Sequence, residues 1–295
     1  MIKIKLGKIP SGISSLDTII RGGFPSGSFV LLLTDVGAGG VEFAISSAVM
    51  LSRIKSEPEL YRTVKEQVER TLNKEEYFKV PEGICYVSFT HSKRDTIQEI
   101  YRSFPDSFAT VIRDNLVFKD FSYLYYRDSI APSSWIAEEE ELRLSILKSE
   151  GGKRGLLEEL ISFLNVQAPN NLVIIDSLTN LVRACYDTIR WHDLVSFLEG
   201  LQRVSKRWDG LIYGLLTADI FERSKEEEIA DCADGVLIFE WSQEGVSQRQ
   251  QTMYVKKFRG LMPHMEKDNI IKFDTTVTST DGFVVINVRR ISGHR

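Results

Sequence analysis

One glycine-rich segment, residues 34–41, constrains the fold of this chain more than any other. It follows an apolar run, Phe29–Leu33, which is typical of a buried strand. It precedes a segment whose apolar residues recur at a spacing of about 3.6, which is typical of a helix. A strand, a glycine loop and a helix in this order form the layout of a phosphate-binding loop, in which backbone N–H groups and the helix N-terminus hold an anion. We therefore expect this segment to build such a loop.

The loop keeps the architecture of the pattern G-x-x-x-x-G-K-[ST] but lacks its two functional side chains. Thr34 stands at the first glycine, whereas Gly39 matches the second. Gly40 stands at the lysine and Val41 at the hydroxyl residue. Glu42 adds an anion in the first helical turn, where it satisfies the helix dipole and repels a phosphate. The candidate nucleotide-binding residues are Thr34, Asp35, Val36, Gly37, Ala38, Gly39, Gly40 and Val41.

These replacements are expected to weaken nucleotide binding. The lysine of the pattern contacts the β- and γ-phosphates, and the hydroxyl binds Mg²⁺. A hydrogen bond to a charged group is worth about 1.5–3 kcal/mol, so loss of the lysine alone is expected to weaken triphosphate binding about ten- to a hundredfold. The backbone N–H groups from Gly37 to Val41 remain as donors to a weakly bound anion. We therefore predict no tightly bound cofactor, and ATP with Mg²⁺ only as a weakened ligand.

Composition excludes several classes of protein. The fractions of 43% hydrophobic and 26% charged residues are ordinary for a soluble globular chain. No apolar run reaches the roughly 18 residues of a membrane span, and the first residues lack the apolar core of a signal peptide. The chain is therefore predicted to be cytoplasmic and without a membrane partner. Cys85, Cys185 and Cys232 have no C-x-x-C spacing and are predicted to be buried free thiols.

Strands alternate with helical patterns and then follow one another directly. Strands are predicted at residues 29–33, 84–90, 116–121, 172–176, 211–217, 235–241, 251–258, 270–274 and 283–289. Helices are predicted from Val41 and at residues 94–104, 156–166 and 189–208, with an exposed amphipathic helix within 53–79. This order implies an α/β fold with a largely parallel sheet and an antiparallel extension. No linker or repeat marks a second domain.

The order of these segments resembles the RecA superfamily of P-loop ATPases, most closely its KaiC-like archaeal and bacterial branch. The residues that carry the resemblance are Gly12–Asp17, Gly22–Ser28, the loop itself, Tyr86–Phe89, Leu172–Leu178 and Lys257–Gly260. It covers nearly the whole chain apart from insertions at about 53–80 and 122–153. The resemblance implies one domain over residues 1–295, with a RecA-like core whose mostly parallel central sheet is flanked by helices and extended by antiparallel C-terminal strands.

The resemblance also assigns roles to residues outside the loop. Asp176 matches the Walker B aspartate, which orients Mg²⁺ and its water. Thr90 and His91 stand where the family has a catalytic glutamate, and a threonine cannot act as a general base near neutral pH. A histidine is able to do so only with suitable geometry. Lys257 and Arg259 match a pair that reaches the γ-phosphate held by the neighbouring subunit of the assembled ring. The alternatives are that Asp176 is a simple strand-end carboxylate and that Lys257 and Arg259 are two solvated basic residues on an edge strand.

We predict from this pattern a catalytically degenerate RecA/KaiC-like paralogue without significant ATP hydrolysis, and therefore not an enzyme by itself. Its role would be structural or regulatory, in a homo-oligomer or in a hetero-oligomer with an active paralogue whose ATP site Lys257 and Arg259 complete.

Two other functions stay open. A weak ATP-binding protein or ATPase would bring a lysine such as Lys93 or Lys153 into a rearranged site. A DNA recombination or repair accessory protein is the other alternative. Nucleic acid is not an expected partner, because residues 219–228 are net acidic, which repels a phosphate backbone, and the net charge is −4.

Overall fold

Twelve strands and ten helices are found in the described part of a computed structural model of the chain. The structure describes residues 5–127, 129–132, 135–136, 155–186, 188–244, 248–259 and 269–292. The strands are β1 (Leu6–Ile9), β2 (Phe24–Pro25), β3 (Ser28–Thr34), β4 (Glu76–Phe78), β5 (Ile84–Ser88), β6 (Leu116–Asp120), β7 (Leu172–Asp176), β8 (Leu211–Thr217), β9 (Gly235–Glu244), β10 (Gln248–Phe258), β11 (Asn269–Thr278) and β12 (Gly282–Ser292). The helices are α1 (Ser14–Ile19), α2 (Gly40–Ser56), α3 (Pro58–Glu69), α4 (Lys93–Ser103), α5 (Asp106–Asn115), α6 (Ser122–Tyr126), α7 (Leu156–Gln167), α8 (Leu178–Tyr186), α9 (Trp191–Trp208) and α10 (Arg223–Cys232).

The central sheet has the strand order β12-β11-β10-β9-β3-β8-β7-β5-β6. The six strands from β9 to β6 in this order run parallel to one another. The strands β10, β11 and β12 continue the sheet in antiparallel fashion. This confirms the predicted α/β fold with a mostly parallel sheet and an antiparallel C-terminal extension. The strand β8 lies between β3 and β7, so the C-terminal ends of β3 and β7 are separated by the width of one strand. Ligands of open α/β sheets bind at these C-terminal ends.

Strand β3 is buried on both faces, which explains its unbroken apolar sequence. Val30 and Leu32 point into one hydrophobic core, which includes much of α2. Phe29 and Leu31 point into a second core on the opposite face, where α7, α8 and α9 pack. Within the described residues, no helix combines the length and the apolarity that a bilayer crossing requires. The three cysteines are buried and free, as predicted.

The segment Gly12–Asp17, which contributed to the resemblance, folds around a buried carboxylate. One oxygen of Asp17 accepts a hydrogen bond from the Ser11 amide at 2.6 Å, and the other accepts one from the Gly12 amide at 3.2 Å. Burial raises the pKa of Asp17 to about 7, against the lowering effect of these two hydrogen bonds. Asp17 therefore acts as the internal anchor of the loop that leads into α1.

Several elements were not predicted, each for a local reason. The strands β1, β2 and β4 form a separate three-stranded sheet and are too short, at two to four residues, to show a period. The predicted polar segment around residues 219–231 contains α10, whose few apolar residues, such as Ile229, face the core. Helices α5 and α8 were also missed. The predicted exposed amphipathic helix is confirmed as α3, in which Val68 is buried and Leu60 and Val64 pack on the core while most other residues are exposed. Most of the predicted irregular segment 122–153 lies outside the described residues, apart from α6 and short stretches around it.

Candidate functional site

The glycine loop joins the end of β3 to the start of α2, at the carboxyl edge of the parallel strands. Ligands of open α/β sheets bind at this edge. Gly37 and Gly39 have φ angles of +74° and +100°, a region in which only glycine is free of strain. Gly39 is the N-cap of α2, and its carbonyl accepts the Phe43 amide at 2.9 Å. The two glycines are therefore required by the turn itself, whatever the loop binds.

The paired strands β9 and β10 contact the glycine loop. The Trp241 indole N–H donates to the Val36 carbonyl at 3.1 Å, and the Gln251 side-chain amide donates to the Gly37 carbonyl at 2.8 Å. The carboxylate of Asp35 accepts the Trp241 backbone amide at 3.2 Å, so this side chain is directed at β9. The Asp35 amide also donates to the Phe239 carbonyl of β9 at 2.9 Å, and the Ala38 amide donates to the Asp35 carbonyl at 3.0 Å. Contacts within the chain therefore fix the loop through both its carbonyl groups and two of its amides.

The start of α2 presents backbone donors, and residues 34–41 of the loop include no lysine or arginine. Among the residues described, the amides of Gly40, Val41 and Glu42 have no hydrogen-bond acceptor. The side chain of Val41 is partly exposed, and Val36 at the loop tip is 82% exposed. Within the described residues, the loop and the start of α2 therefore present backbone amides without an acceptor next to exposed apolar side chains.

Asp176 lies at the end of β7, beside Ser88 at the end of β5. The buried Tyr86 hydroxyl donates a hydrogen bond to one oxygen of its carboxylate. Burial raises the pKa of Asp176, and the hydrogen bond from Tyr86 and the nearby His91 act in the opposite direction. The ring of Tyr86 stacks on Phe118 with 5.5 Å between centroids, which keeps the hydroxyl in place. One of the two carboxylate oxygens is thus already occupied by a side chain of the same protein.

Thr90 and His91 follow β5 at the same edge of the sheet. The Thr90 hydroxyl lies 3.1 Å from Nδ1 of His91 and 3.5 Å from the side-chain nitrogen of Asn180. The His91 amide donates to the Ser88 hydroxyl at 3.0 Å. These polar groups contact one another, and His91 is exposed. This edge of the sheet therefore holds a hydroxyl, an imidazole and a side-chain amide. The resemblance implied a glutamate at this position, and the sequence has Thr90 and His91 instead.

Lys257 and Arg259 lie at and just beyond the C-terminal end of β10. In the pairing of β10 with β9, Lys257 lies opposite Val236, which itself pairs with Leu31 in the middle of β3. The Lys257 amine donates to the Asp231 carboxylate at 2.7 Å, and the Arg259 guanidinium donates to the Asp231 carbonyl at 3.0 Å. Both side chains therefore meet at the C-terminal end of α10, and no hydrogen bond or ion pair in the described part of the chain joins them to the glycine loop.

No known protein family profile matches this chain, and no curated protein matches it. Among solved structures, the chain is similar to the crystal structure of a KaiC-like protein from the hyperthermophilic archaeon Pyrococcus horikoshii, with a TM-score of 0.55 and 17% sequence identity. The superposition covers 95% of this chain and 99% of that one. The chain has a KaiC-like fold.

Several contacts in this KaiC-like fold were not accessible from the sequence. Trp241 and Gln251 donate hydrogen bonds to loop residues that are 205 and 214 positions earlier in the sequence. Tyr86 contacts Asp176, and Asn180 contacts Thr90. Tyr86 belongs to the segment Tyr86–Phe89 that carried the resemblance, but that segment did not indicate a contact with Asp176, and Asn180 belongs to no motif that we identified. The position of Tyr86 two residues before Ser88 in β5 was the only available signal, since residues i and i+2 share a face of a strand.

A metal centre or an added lysine would be an alternative ligand set in this KaiC-like fold. No group of three or more His, Cys, Asp or Glu side chains suited to a metal ion occurs in the described ranges. Lys93 is exposed in the first turn of α4, and no hydrogen bond or ion pair found in the described ranges joins it to the loop. Lys153 lies outside the described residues.

Proposed function

We propose that this chain is a non-hydrolysing KaiC-like subunit that acts on the ATP site of a partner, as a structural or regulatory component of a cytoplasmic oligomer. The observation that carries the proposal is the separation of two sets of residues. The glycine loop lacks its cation and its metal-binding hydroxyl, whereas the side chains of Lys257 and Arg259 contact Asp231 near the C-terminal end of α10. A basic pair in that position is directed away from its own loop.

The residues of the loop do not fit Mg²⁺ with ATP. The inner side offers amides but no cationic side chain within the loop, and Val41 replaces the hydroxyl ligand of the metal. Glu42 places a negative charge in the first turn of α2, where a phosphate would otherwise use the helix dipole. Phosphoryl transfer is accelerated almost wholly by positioning and electrostatics, so a site without these groups has little with which to accelerate it.

The environment of Asp176 supports the same proposal. Burial raises the pKa of its carboxyl group. The Tyr86 hydroxyl also takes one of its oxygens. Thr90 supplies a hydroxyl that hydrogen-bonds within the protein, in place of a general base.

The basic pair has the chemistry to act on a phosphate of another subunit. The Arg259 side chain is 51% exposed, and its present partner Asp231 is 80% exposed. Surface ion pairs of this kind contribute about 0–1 kcal/mol, so an incoming phosphate can replace the Asp231 carboxylate at low cost. We propose an active KaiC-like paralogue as the partner, because a second copy of this chain would offer a loop with the same defects.

Affinity purification from native cells tests this proposal. We expect an ATP-hydrolysing paralogue to copurify with the chain. We also expect the reconstituted complex to hydrolyse ATP at least tenfold faster than the same complex carrying Lys257→Ala and Arg259→Ala. A tenfold effect is modest for basic side chains that one subunit supplies to the phosphate site of another. Lys256→Ala is the matched control, because Lys256 is the neighbour of Lys257 in β10 and its amine pairs with Glu227 of α10 at 2.7 Å. This control should leave the rate unchanged. Recovery of this chain alone would count against the proposal.

A further inference from the structure

Gly40 is a glycine for reasons of space rather than of backbone conformation. It is the first residue of α2, and its φ angle does not lie in the left-handed region. Glycine in a helix is less favourable than alanine, so an unconstrained position would favour another residue. A Cβ atom at position 40 would lie 2.9 Å from Cβ of Thr34, 3.0 Å from its Oγ1 and 3.3 Å from its Cγ2. The three nearest atoms all belong to one side chain.

Thr34 has little freedom to move away. It is β-branched, which restricts its side-chain rotamer, and its hydroxyl donates to the Asp35 carbonyl at 3.0 Å. Its backbone pairs with Thr217 of β8 on one side and Phe239 of β9 on the other. The Ala218 amide also donates to the Thr34 carbonyl at 2.9 Å. The side chain is therefore held against α2 by a strand that is paired on both sides.

We propose that Thr34 and Gly40 form a steric lock, in which the threonine at the first glycine position excludes any residue with a Cβ from the lysine position. The two replacements in the loop then depend on each other, and Thr34 determines that the site is closed to a lysine and so to tight binding of a triphosphate. The steric lock gives a packing reason for the lack of a cation in the loop. It deepens the proposed function and rests on that proposal.

The lock predicts that alanine at position 40 has opposite effects in two backgrounds. With Thr34 present, Gly40→Ala is expected to lower the melting temperature by about 2–10 °C, as overpacking does. With Thr34→Gly present, the same change should raise it by up to about 4 °C, since alanine is then the better helix former. With Thr34→Ala present, Gly40→Ala should still lower the melting temperature, because the atom nearest to the new Cβ is Cβ of residue 34.

Gly200 provides a matched control for the helical effect. It lies on an exposed turn of α9, and a Cβ atom built there meets no other group within 4 Å. Gly200→Ala should therefore leave the melting temperature unchanged or raise it slightly. If Gly40→Ala behaves like Gly200→Ala while Thr34 is present, or has the same effect with Thr34 as with Thr34→Gly, the lock is wrong. If Gly40→Ala alone does not fold, the comparison of Thr34→Gly with Thr34→Gly/Gly40→Ala still decides, and a lower melting temperature of the double variant contradicts the lock.

A titration with Mg²⁺ and ATP tests the consequence for binding. Gly40→Lys/Val41→Thr restores the two functional side chains while keeping Thr34, and Thr34→Gly/Gly40→Lys/Val41→Thr also removes the obstruction. We expect the triple variant to bind ATP at least about tenfold more tightly than the double variant. Equal affinities would overturn the assignment of Thr34. Tight binding by the unmodified chain would contradict the proposed function, whereas the melting experiment tests the lock independently of it.

Discussion

Replacing Phe43 by alanine is expected to lower the free energy of unfolding by about 3–5 kcal/mol, the range for a large aromatic residue removed from a core. Phe43 is fully buried on α2, just after the glycine loop. Its ring lies 5.4 Å from that of Phe239, 5.4 Å from that of Phe283 and 5.8 Å from that of Tyr213, between centroids. These partners belong to β9, β12 and β8. Phe43 therefore joins the parallel core, the antiparallel extension and the loop helix in one cluster.

Urea unfolding of the purified variant measures this loss. Phe43→Leu is the matched control, because it keeps most of the buried volume and should lose less than about 1.5 kcal/mol. We also expect limited proteolysis to cleave the alanine variant first near the turn between β11 and β12, since Phe283 loses a ring partner there. A loss below about 1 kcal/mol for Phe43→Ala would show that this cluster does not hold the extension to the core.

Replacing Asp234 by alanine is expected to cost about 2–4 kcal/mol, since a buried acceptor is removed from several donors. The carboxylate accepts the amide of the fully buried Phe29 at 2.9 Å, the Gln202 side-chain amide at 2.9 Å and the Lys206 amine at 2.6 Å. Lys206 is half exposed and regains water, so most of the loss comes from the Phe29 amide. The Asp234 carbonyl also accepts the Arg259 amide at 2.8 Å, which places the basic pair.

Asp234→Asn separates the charge of this side chain from its acceptor geometry. Asparagine keeps an oxygen for the Phe29 amide, so it should lose less than half of what alanine loses. Thermal unfolding of both variants measures the difference. If alanine and asparagine are equally destabilising, the charge facing Lys206 outweighs the hydrogen bond to the backbone, and the Phe29 amide is not the main source of the loss.

The elements that the sequence predicted well are those with continuous apolar runs. The strands at residues 172–176 and 211–217 match β7 and β8 in both bounds, because each is buried on both faces and ends at a polar residue. The glycine loop was also located correctly between β3 and α2. By contrast, α10 was missed because its polar face dominates the segment and only tertiary packing shows which residues are buried.

The sequence places the candidate loop but not its contacts. That Gly40 and Val41 stand at the lysine and hydroxyl positions of the pattern is an interpretation of the loop sequence and stays a prediction. The contact of Thr34 with Gly40, six residues apart, depends on the curvature of the loop. The hydrogen bonds from Trp241 and Gln251 come from strands more than 200 residues away in the sequence. Such contacts have no local periodicity, so no pattern in the sequence indicates them.

Calorimetric titration of the unmodified chain with ATP and Mg²⁺ tests the central claim most directly. The loop offers a phosphate backbone amides, a valine and a carboxylate in the first helical turn. We expect a dissociation constant weaker than about 100 μM and no change in the titration when Asp176 is replaced by alanine. A tighter dissociation constant that weakens with Asp176→Ala would show that the site still grips a metal-bound triphosphate, and would contradict the account.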